Sequence, residues 1–272
     1  MRVVTAIVPG TAQVPNEDAV RFSENVAVVV DGVTAPTGME TGCKHGTPWY
    51  ANQLASQLVT TSSDGTQDLR SALSLAITNV ADLHRESCDL HADGTPSATV
   101  AVVRQRKQLV ECLVLSDATI ALEAHGAVQV VTDDRLAALL AEPRRAVQSA
   151  PANSEIREQR LRELVSAQRK LRNVPGGYWL AGTVPEAAEY AVTGSVPVSK
   201  GLCVAVMTDG AARLVDMFGA SSWSGALDDL RITGPEAWIQ RVRELEATDP
   251  NMVRWPRYKV SDDAALACCT FG

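Results

Sequence analysis

The chain has 272 residues, of which 46% are hydrophobic and 21% are charged. This is enough for one sizeable core and favours at most two domains. The net charge of −7 disfavours nucleic acid as the main partner, and no apolar run reaches membrane-spanning length. The N-terminal stretch at residues 1–8 is too short for the apolar region of a secretory signal, because Pro9-Gly10 interrupts it. We therefore expect a cytoplasmic, monomeric protein with no membrane partner.

The first third of the chain predicts three strands and then two helices. Residues 2–8 and 19–22 have strand-like patterns, and residues 26–30 form a continuous apolar run typical of a strand buried on both faces. Thr47-Pro48 is typical of a helix N-terminus, which predicts a helix over 47–60. A second helix over 66–87 has apolar residues at three- and four-residue spacing.

The middle of the chain predicts a β-meander followed by a basic helical segment. Four β-rich runs, separated by tight links, favour consecutive antiparallel strands at 97–104, 109–116, 118–125 and 127–132. Helical patterns follow over 133–148 and 154–172. The second helix is rich in arginine, and we expect a flap over residues 144–176. A plain solvated helix face, with glutamate partners such as Glu158 and Glu163, is the alternative.

The last third predicts short strands at 178–181 and 188–192, a buried strand over 202–208, helices over 211–218 and 235–247, and a buried strand over 264–269. The order of the elements predicts an α+β fold. Two antiparallel sheets with helices outside them would form a four-layer α/β/β/α sandwich, as one domain over residues 1–272.

Acidic residues recur at the ends of the predicted buried strands. Asp31-Gly32 and Asp209-Gly210 each follow such a strand, where an ionised carboxylate is costly unless a cation meets it. Either Asp-Gly alone is more typical of a turn than of a metal ligand, but the repetition, together with the other acidic clusters, favours a shared ligand. Three more acidic sites are Asn16-Glu17-Asp18, Ser116-Asp117-Ala118 and Asp262-Asp263. Oxygen-only ligands suit Mg²⁺ or Mn²⁺.

The cysteines and histidines predict no metal site. The six cysteines show no C-x-x-C spacing, and four of them lie in apolar, strand-like runs, which is typical of buried thiols and not of a disulfide framework or zinc site. The four histidines are scattered along the sequence. Carboxylates are therefore the expected ligands.

Taken in chain order, these motifs resemble those of the metal-dependent PP2C-type protein serine/threonine phosphatases. The matching motifs are Asn16-Glu17-Asp18, Val30-Asp31-Gly32, Gly94-Thr95-Pro96-Ser97-Ala98-Thr99, Ser116-Asp117-Ala118, Thr208-Asp209-Gly210 and Asp262-Asp263. The resemblance implies two Mn²⁺ or Mg²⁺ ions, with a third more weakly held. It also implies hydrolysis of phosphoserine or phosphothreonine by a water activated between the ions, and phosphoprotein partners such as the targets of a Ser/Thr kinase, or the kinase itself.

The resemblance also implies residue roles. Its metal-binding residues are Asp18, Asp31, Gly32, Asp117, Asp209 and Asp262. Asp31 would bridge both ions, and Asp117 would help to hold the third. The residues that it assigns to catalysis are Glu17, Asp31 and Asp209. Asp117 between two strands is equally consistent with an ordinary hairpin turn.

The sequence departs from the family in its phosphate-handling residues. Gln13 stands where the family has a phosphate-binding arginine, Ser116 replaces a glycine, and residues 33–36 replace the glycines after Asp31-Gly32. These changes leave two alternatives open: a pseudophosphatase that acts as a regulatory or binding module, and a small-molecule phosphomonoesterase. We expect that Gln13 lies at the substrate site and that arginines of the basic helix take over phosphate binding. The candidates are Arg157, Arg160 and Arg162.

Overall fold

Two five-stranded antiparallel sheets form the centre of the protein. The computed structural model describes residues 1–33, 40–124, 126–151 and 154–272. The strands of the described chain are β1 (Arg2–Val8), β2 (Asp18–Phe22), β3 (Val26–Gly32), β4 (Ala98–Arg106), β5 (Leu109–Leu115), β6 (Thr119–Ala124), β7 (Ala127–Val131), β8 (Val192–Pro197), β9 (Cys203–Met207) and β10 (Ala264–Thr270). The first sheet has the order β2-β3-β4-β5-β8 and the second the order β1-β10-β9-β6-β7.

Helices cover the outer face of each sheet. Helices α1 (Gly46–Ser63) and α2 (Leu69–His84) pack on the first sheet. Helices α6 (Asp209–Asp216) and α7 (Trp223–Ala247) pack on the second. The predicted α/β/β/α sandwich is confirmed. None of the helices in the described ranges is both long and apolar enough to cross a membrane.

Strand β3 shows why the continuous apolar run is needed. Val26, Val28 and Val30 pack under α1 and α2, whereas Ala27 and Val29 face the core between the sheets. Both faces of the strand are therefore buried, and a polar residue at any of these positions would lose its hydration.

The predicted meander is wrong, because β5 and β6 belong to different sheets. Between them Ser116 has a φ of 66°, in the left-handed region that glycine adopts most easily. The turn at 116–118 carries the chain from the first sheet into the second. Asp117 consequently lies where the two sheets meet.

Three further predictions need correction. The helix predicted over 133–148 is two short helices, α3 (Arg135–Leu139) and α4 (Ala141–Gln148). Residues 178–181 form only isolated bridges, Ala98 with Ala181 and Arg172 with Tyr178. A 3-10 helix, Pro185–Tyr190, replaces most of the strand predicted over 188–192.

The basic helix forms as predicted, as α5 (Glu155–Leu171), with the Ser154 hydroxyl accepting from the Arg157 amide. Val147 and Leu164 join Leu136, Leu140, Tyr178 and Leu180 in a small apolar cluster of their own. The segment between β7 and the 3-10 helix thus has a core separate from those of the sandwich.

Candidate metal centre

Two of the predicted metal ligands lie side by side on the first sheet. Asp18 begins β2 and is paired in register with Asp31 near the end of β3. The side chain of Asn16 accepts from the Asp18 amide at 2.8 Å and shapes the turn before β2. Strand pairing therefore brings together two carboxylates from separate motifs.

The second sheet presents two more carboxylates at the same place. Asp209 is the first residue of α6 and follows the end of β9 by two residues, and Asp262 lies two residues before β10. Strands β9 and β10 are neighbours, and the Thr208 amide extends their pairing by donating to the Ala265 carbonyl at 3.1 Å.

Thr208 connects the two sheets at this centre. Its buried hydroxyl donates to Oδ2 of Asp18 at 2.9 Å and accepts from the Ala265 amide at 3.0 Å. One side chain thus fixes a carboxylate of the first sheet against the strand ends of the second. Asp117, in the turn between the sheets, completes the carboxylate cluster: Asp18, Asp31, Asp117, Asp209 and Asp262.

Asp263 holds the loop that carries Glu17. Its Oδ1 accepts from the Gly10 amide at 2.8 Å and its Oδ2 from the Glu17 amide at 2.7 Å. The Glu17 carbonyl in turn accepts from the Gly32 amide at 3.1 Å. Asp263 therefore positions the loop through its own carboxylate, next to the cluster.

The cluster carries more negative charge than its surroundings neutralise. Burial raises the pKa of Asp18 and of Asp31 well above the ordinary value, and neighbouring carboxylates raise both further. Burial, with the charges of Asp262 and Asp117, raises the pKa of Asp209 to about 7. Burial also raises the pKa of Asp117. Apart from Asp18 these residues stay partly open to solvent, so a small cation can reach them.

Basic side chains meet one edge of the cluster, at Asp262. Arg213 donates to Asp262 Oδ2 at 2.7 Å, and the Lys259 ammonium lies 3.0 Å from Oδ1. Arg213 also pairs with Glu246, which is 1% exposed, at 3.1 Å. A second arginine, Arg243, bonds both Glu246 and the Asp262 carbonyl. This network fixes the orientation of Asp262.

Gly32 lies where no side chain fits. A Cβ atom there would approach the Thr47 methyl to 2.5 Å and the Glu17 carbonyl to 2.7 Å. The absence of a side chain lets the Gly32 backbone lie directly against the Glu17 loop, beside Asp31.

The donor set fits hard divalent cations. The cluster offers carboxylate oxygens from both sheets, which are the ligands that Mg²⁺ and Mn²⁺ prefer. The pKa values are raised first by burial and then by repulsion between the carboxylates, and a divalent ion would offset both effects.

The predicted substrate-binding arginines make their hydrogen bonds within or near the helical segment. Arg157 donates to the carbonyls of Val147 and Arg257, at 3.0 and 2.9 Å. Arg160 donates to the Ala146 carbonyl at 2.7 Å. Arg162 is exposed and lies 3.9 Å from Glu158. These contacts stabilise the packing of α5 on α4, and the substrate-binding role stays a prediction. Gln13 is exposed in the loop before β2.

Two features of the structure were not predicted. Arg144, from the same basic segment, lies close enough to Asp117 to oppose the rise in the pKa of that carboxyl, and its Nε is buried with no hydrogen bond to the described residues.

The second feature is that the histidines are not all scattered, because His45 and His84 lie together with Cys43 and Cys88. The signal for this cluster was the pair of spacings Cys-x-His and His-x-x-x-Cys. His125 and residues 34–36 lie outside the described residues.

Known proteins share this fold. The family model for protein phosphatase 2C matches residues 11–245, while no curated protein sequence matches the chain. The catalytic domain of the serine/threonine protein phosphatase PstP, solved with two manganese ions, is similar at 14% identity and a TM-score of 0.59, covering 98% of this chain and 96% of that one. PppA from Pseudomonas aeruginosa, a regulatory component of a type VI secretion system, is 18% identical with a TM-score of 0.56, covering 99% and 97%.

A third solved structure is the Ser-Thr phosphatase MsPP from Mycobacterium smegmatis, in complex with cacodylate. It is 13% identical with a TM-score of 0.58, covering 100% of this chain and 99% of that one. Identities this low establish a common fold only, whereas the family model spans most of the sequence. The chain belongs to the protein phosphatase 2C family.

Proposed function

We propose that this protein is a metal-dependent phosphatase that hydrolyses phosphoserine or phosphothreonine in proteins. Asp18, Asp31, Asp209, Asp262 and the Gly32 carbonyl would hold two Mn²⁺ or Mg²⁺ ions, and Asp117 would help to hold a third. When bound, such ions supply the positive charge that makes water nucleophilic near neutral pH and that offsets the charge of a phosphate ester.

The observation that carries this proposal is the convergence of the carboxylate cluster from both sheets. Asp18 and Asp31 are paired in register, and Thr208 bonds Asp18 from the other sheet. Burial and mutual repulsion raise the pKa of Asp18, Asp31 and Asp209. A fold keeps such an arrangement at a cost to its stability, which favours a functional role.

The chain's own residues have distinct roles in this proposal. Thr208 orients Asp18 by its hydrogen bond, and Arg213 orients Asp262. Asp263 holds the Glu17 loop, so that Glu17 lies at the edge of the site. Asp31 and Asp209, partly open to solvent at the centre of the cluster, would orient the attacking water.

Arg144 is the best-placed candidate for phosphate recognition in the basic segment. It is near enough to the cluster to act on Asp117, whereas Arg157 and Arg160 already bind backbone carbonyls. A guanidinium can form two parallel charge-assisted hydrogen bonds to a phosphate, which the amide of Gln13 cannot replace. The flap (residues 144–176) would place this group over the site.

The alternative of a pseudophosphatase rests on two observations. Gln13 stands in place of an arginine, and Arg213 and Lys259 already neutralise Asp262 in part. A protein that binds ions but fails to turn over phosphate would fit this alternative. A small-molecule phosphomonoesterase differs only in its substrate.

One experiment separates these functions. Purified protein is assayed with Mn²⁺ on p-nitrophenyl phosphate and on a phosphothreonine peptide, with and without a chelator. We expect Mn²⁺-dependent hydrolysis of both substrates, preferring the peptide, and its loss in Asp209→Asn but not in the exposed control Asp229→Asn. Ion binding without hydrolysis would identify a pseudophosphatase, and hydrolysis of the small ester alone a phosphomonoesterase.

A further inference from the structure

A second group of metal-binding side chains lies apart from the carboxylate cluster. Cys43 and His45 come from the connection between β3 and α1, while His84 ends α2 and Cys88 follows it. One ligand atom from each of the four lies within 4.8 Å of all the others. We call these four residues the Cys-His cluster.

The distances within the Cys-His cluster match a tetrahedral site. The two sulfur atoms are 3.5 Å apart. Nδ1 of His45 lies 3.4 Å from the Cys88 sulfur and 3.8 Å from the Cys43 sulfur, and Nδ1 of His84 lies 3.6 Å from the Cys43 sulfur. With Zn–S near 2.3 Å and Zn–N near 2.0–2.1 Å, tetrahedral ligand atoms are separated by about 3.3–3.8 Å. A Zn²⁺ ion therefore fits between them with little movement.

The backbone around the Cys-His cluster holds its two halves together. The Gly42 carbonyl accepts from the Asp89 amide at 2.8 Å, which joins the loop before α1 to the chain after α2. Gly42 has a φ of 67°, and a Cβ atom there would lie 2.5 Å from that of Ala92. The Thr41 hydroxyl donates to the Cys43 carbonyl at 3.0 Å. The ligands are thus positioned by backbone contacts as well as by their own side chains.

The surroundings of the histidines direct their Nδ1 atoms into the cluster. Trp49 stacks on His45 with ring centres 4.3 Å apart and meets the edge of His84 at 5.1 Å. His84 is 2% exposed, and its Nε2 makes no hydrogen bond within the described residues. Its hydrogen-bonding atom is Nδ1, which points at the Cys43 sulfur. A buried imidazole oriented in this way is suited to a metal.

We propose that Cys43, His45, His84 and Cys88 bind one structural Zn²⁺ ion. Two thiolates and two neutral imidazoles form a common zinc ligand set, and four protein ligands close the coordination sphere as in structural sites. Each thiol releases one proton on binding, so the centre is electrically neutral. Sulfur and imidazole ligands select zinc over Mn²⁺ or Mg²⁺, which prefer oxygen. The two metal centres of this protein therefore differ in chemistry.

The zinc ion would anchor the start of α1 beside the carboxylate cluster. His45 directly precedes α1, and the Thr47 methyl lies against the backbone of Gly32. Linking this turn to the end of α2 restricts the chain that packs against Asp31-Gly32. The zinc proposal does not depend on phosphatase activity, because it concerns ligands outside the carboxylate cluster.

The test measures metal content and thiolate coordination in the full chain. Protein purified under reducing conditions from zinc-containing medium is expected to carry one Zn²⁺ per chain in the Asp31→Asn background, where binding to the carboxylates is weakened. The variant Cys43→Ser/Cys88→Ser is expected to carry almost none. The matched controls Cys203→Ala, from a buried thiol pair at 3.6 Å, and His91→Ala, an exposed histidine, are expected to keep it.

Spectroscopy of the otherwise unmodified chain keeps the test decisive if the double variant fails to fold. Replacement of Zn²⁺ by Co²⁺ should give tetrahedral d–d bands and a thiolate-to-metal charge-transfer band. X-ray absorption at the zinc edge should show two sulfur and two nitrogen neighbours. Folded protein without bound zinc, a zinc edge with oxygen neighbours only, or a Cys43–Cys88 disulfide that persists in reducing buffer would each overturn the proposal.

Discussion

Replacing Asp31 by Asn should have opposite effects on the metal-free and the metal-bound protein. Asp31 is surrounded by the carboxylates of the cluster, and burial together with their charges raises its pKa well above the ordinary value. Asparagine has the same shape and no charge. The variant should therefore relieve repulsion in the metal-free protein and raise its melting temperature, while removing the carboxylate that would bridge the two ions.

The expected size of the metal effect follows from linkage. An ion present at about 100 times its dissociation constant stabilises the native state by about 2.7 kcal/mol. A change of 1 kcal/mol shifts the melting temperature of a chain of roughly this size by about 2–4 °C. Saturating Mn²⁺ should thus raise the melting temperature of the wild type by about 5–10 °C. The shift in Asp31→Asn should be a small fraction of this.

Differential scanning calorimetry with and without a chelator measures both effects. The control is Asp229→Asn, because Asp229 is exposed and pairs only loosely with Arg241, at 3.4 Å. It should show the full metal shift of the wild type. Equal Mn²⁺ shifts in wild type and Asp31→Asn would refute the reasoning, as would a metal-free variant less stable than the wild type.

Three other predictions follow from the same contacts. The pKa of Asp209 is raised from 3.8 to about 7, so between these pH values the folded protein binds a proton that the unfolded chain releases. The stability of the metal-free protein should therefore fall as the pH rises from about 4 to 7. Thermal melts across this range should show less pH dependence in Asp209→Asn. Arg144→Gln should raise the KM for a phosphate ester several-fold in steady-state assays. Arg145→Gln, at an exposed position where the side chain pairs with Glu142, should leave KM within error. Arg213→Met should lower the free energy of unfolding by about 1.5–3 kcal/mol in urea titrations, since buried Glu246 loses one charge-assisted hydrogen bond and keeps its contact with Arg243. A loss below 1 kcal/mol would contradict this.

Local patterning predicted most of the elements but not how the sheets are assembled. The apolar run at 26–30 and the Thr47-Pro48 helix start depend on neighbours in sequence, and β3 and α1 form where expected. Strands β5 and β6 lie in separate sheets because the chain turns at Ser116, which has a left-handed backbone conformation. A hydrophobic pattern does not predict such a conformation. The 3-10 helix Pro185–Tyr190 similarly depends on packing, because Ala187 and Ala188 are buried against the helices of the first sheet.

The site was predictable as far as it is built at strand ends. Asp18 and Asp31 are brought together by strand pairing, and this could be anticipated from acidic residues that flank buried strands. The Arg213 contact with Asp262 joins residues 49 positions apart through side chains alone. The Cys-His cluster likewise joins Cys43 to His84 across 41 positions, and its two short spacings are too common to indicate a site individually.

Crystallography of the protein with Mn²⁺ tests the central claim most directly, because anomalous scattering locates the ions independently of activity. We predict two manganese peaks on either side of the Asp31 carboxylate, one also bound by Asp209 and Asp262 and the other by the Gly32 carbonyl beside Asp18. Absence of manganese from the carboxylate cluster at saturating concentration, or manganese bound only elsewhere on the protein, would contradict the account.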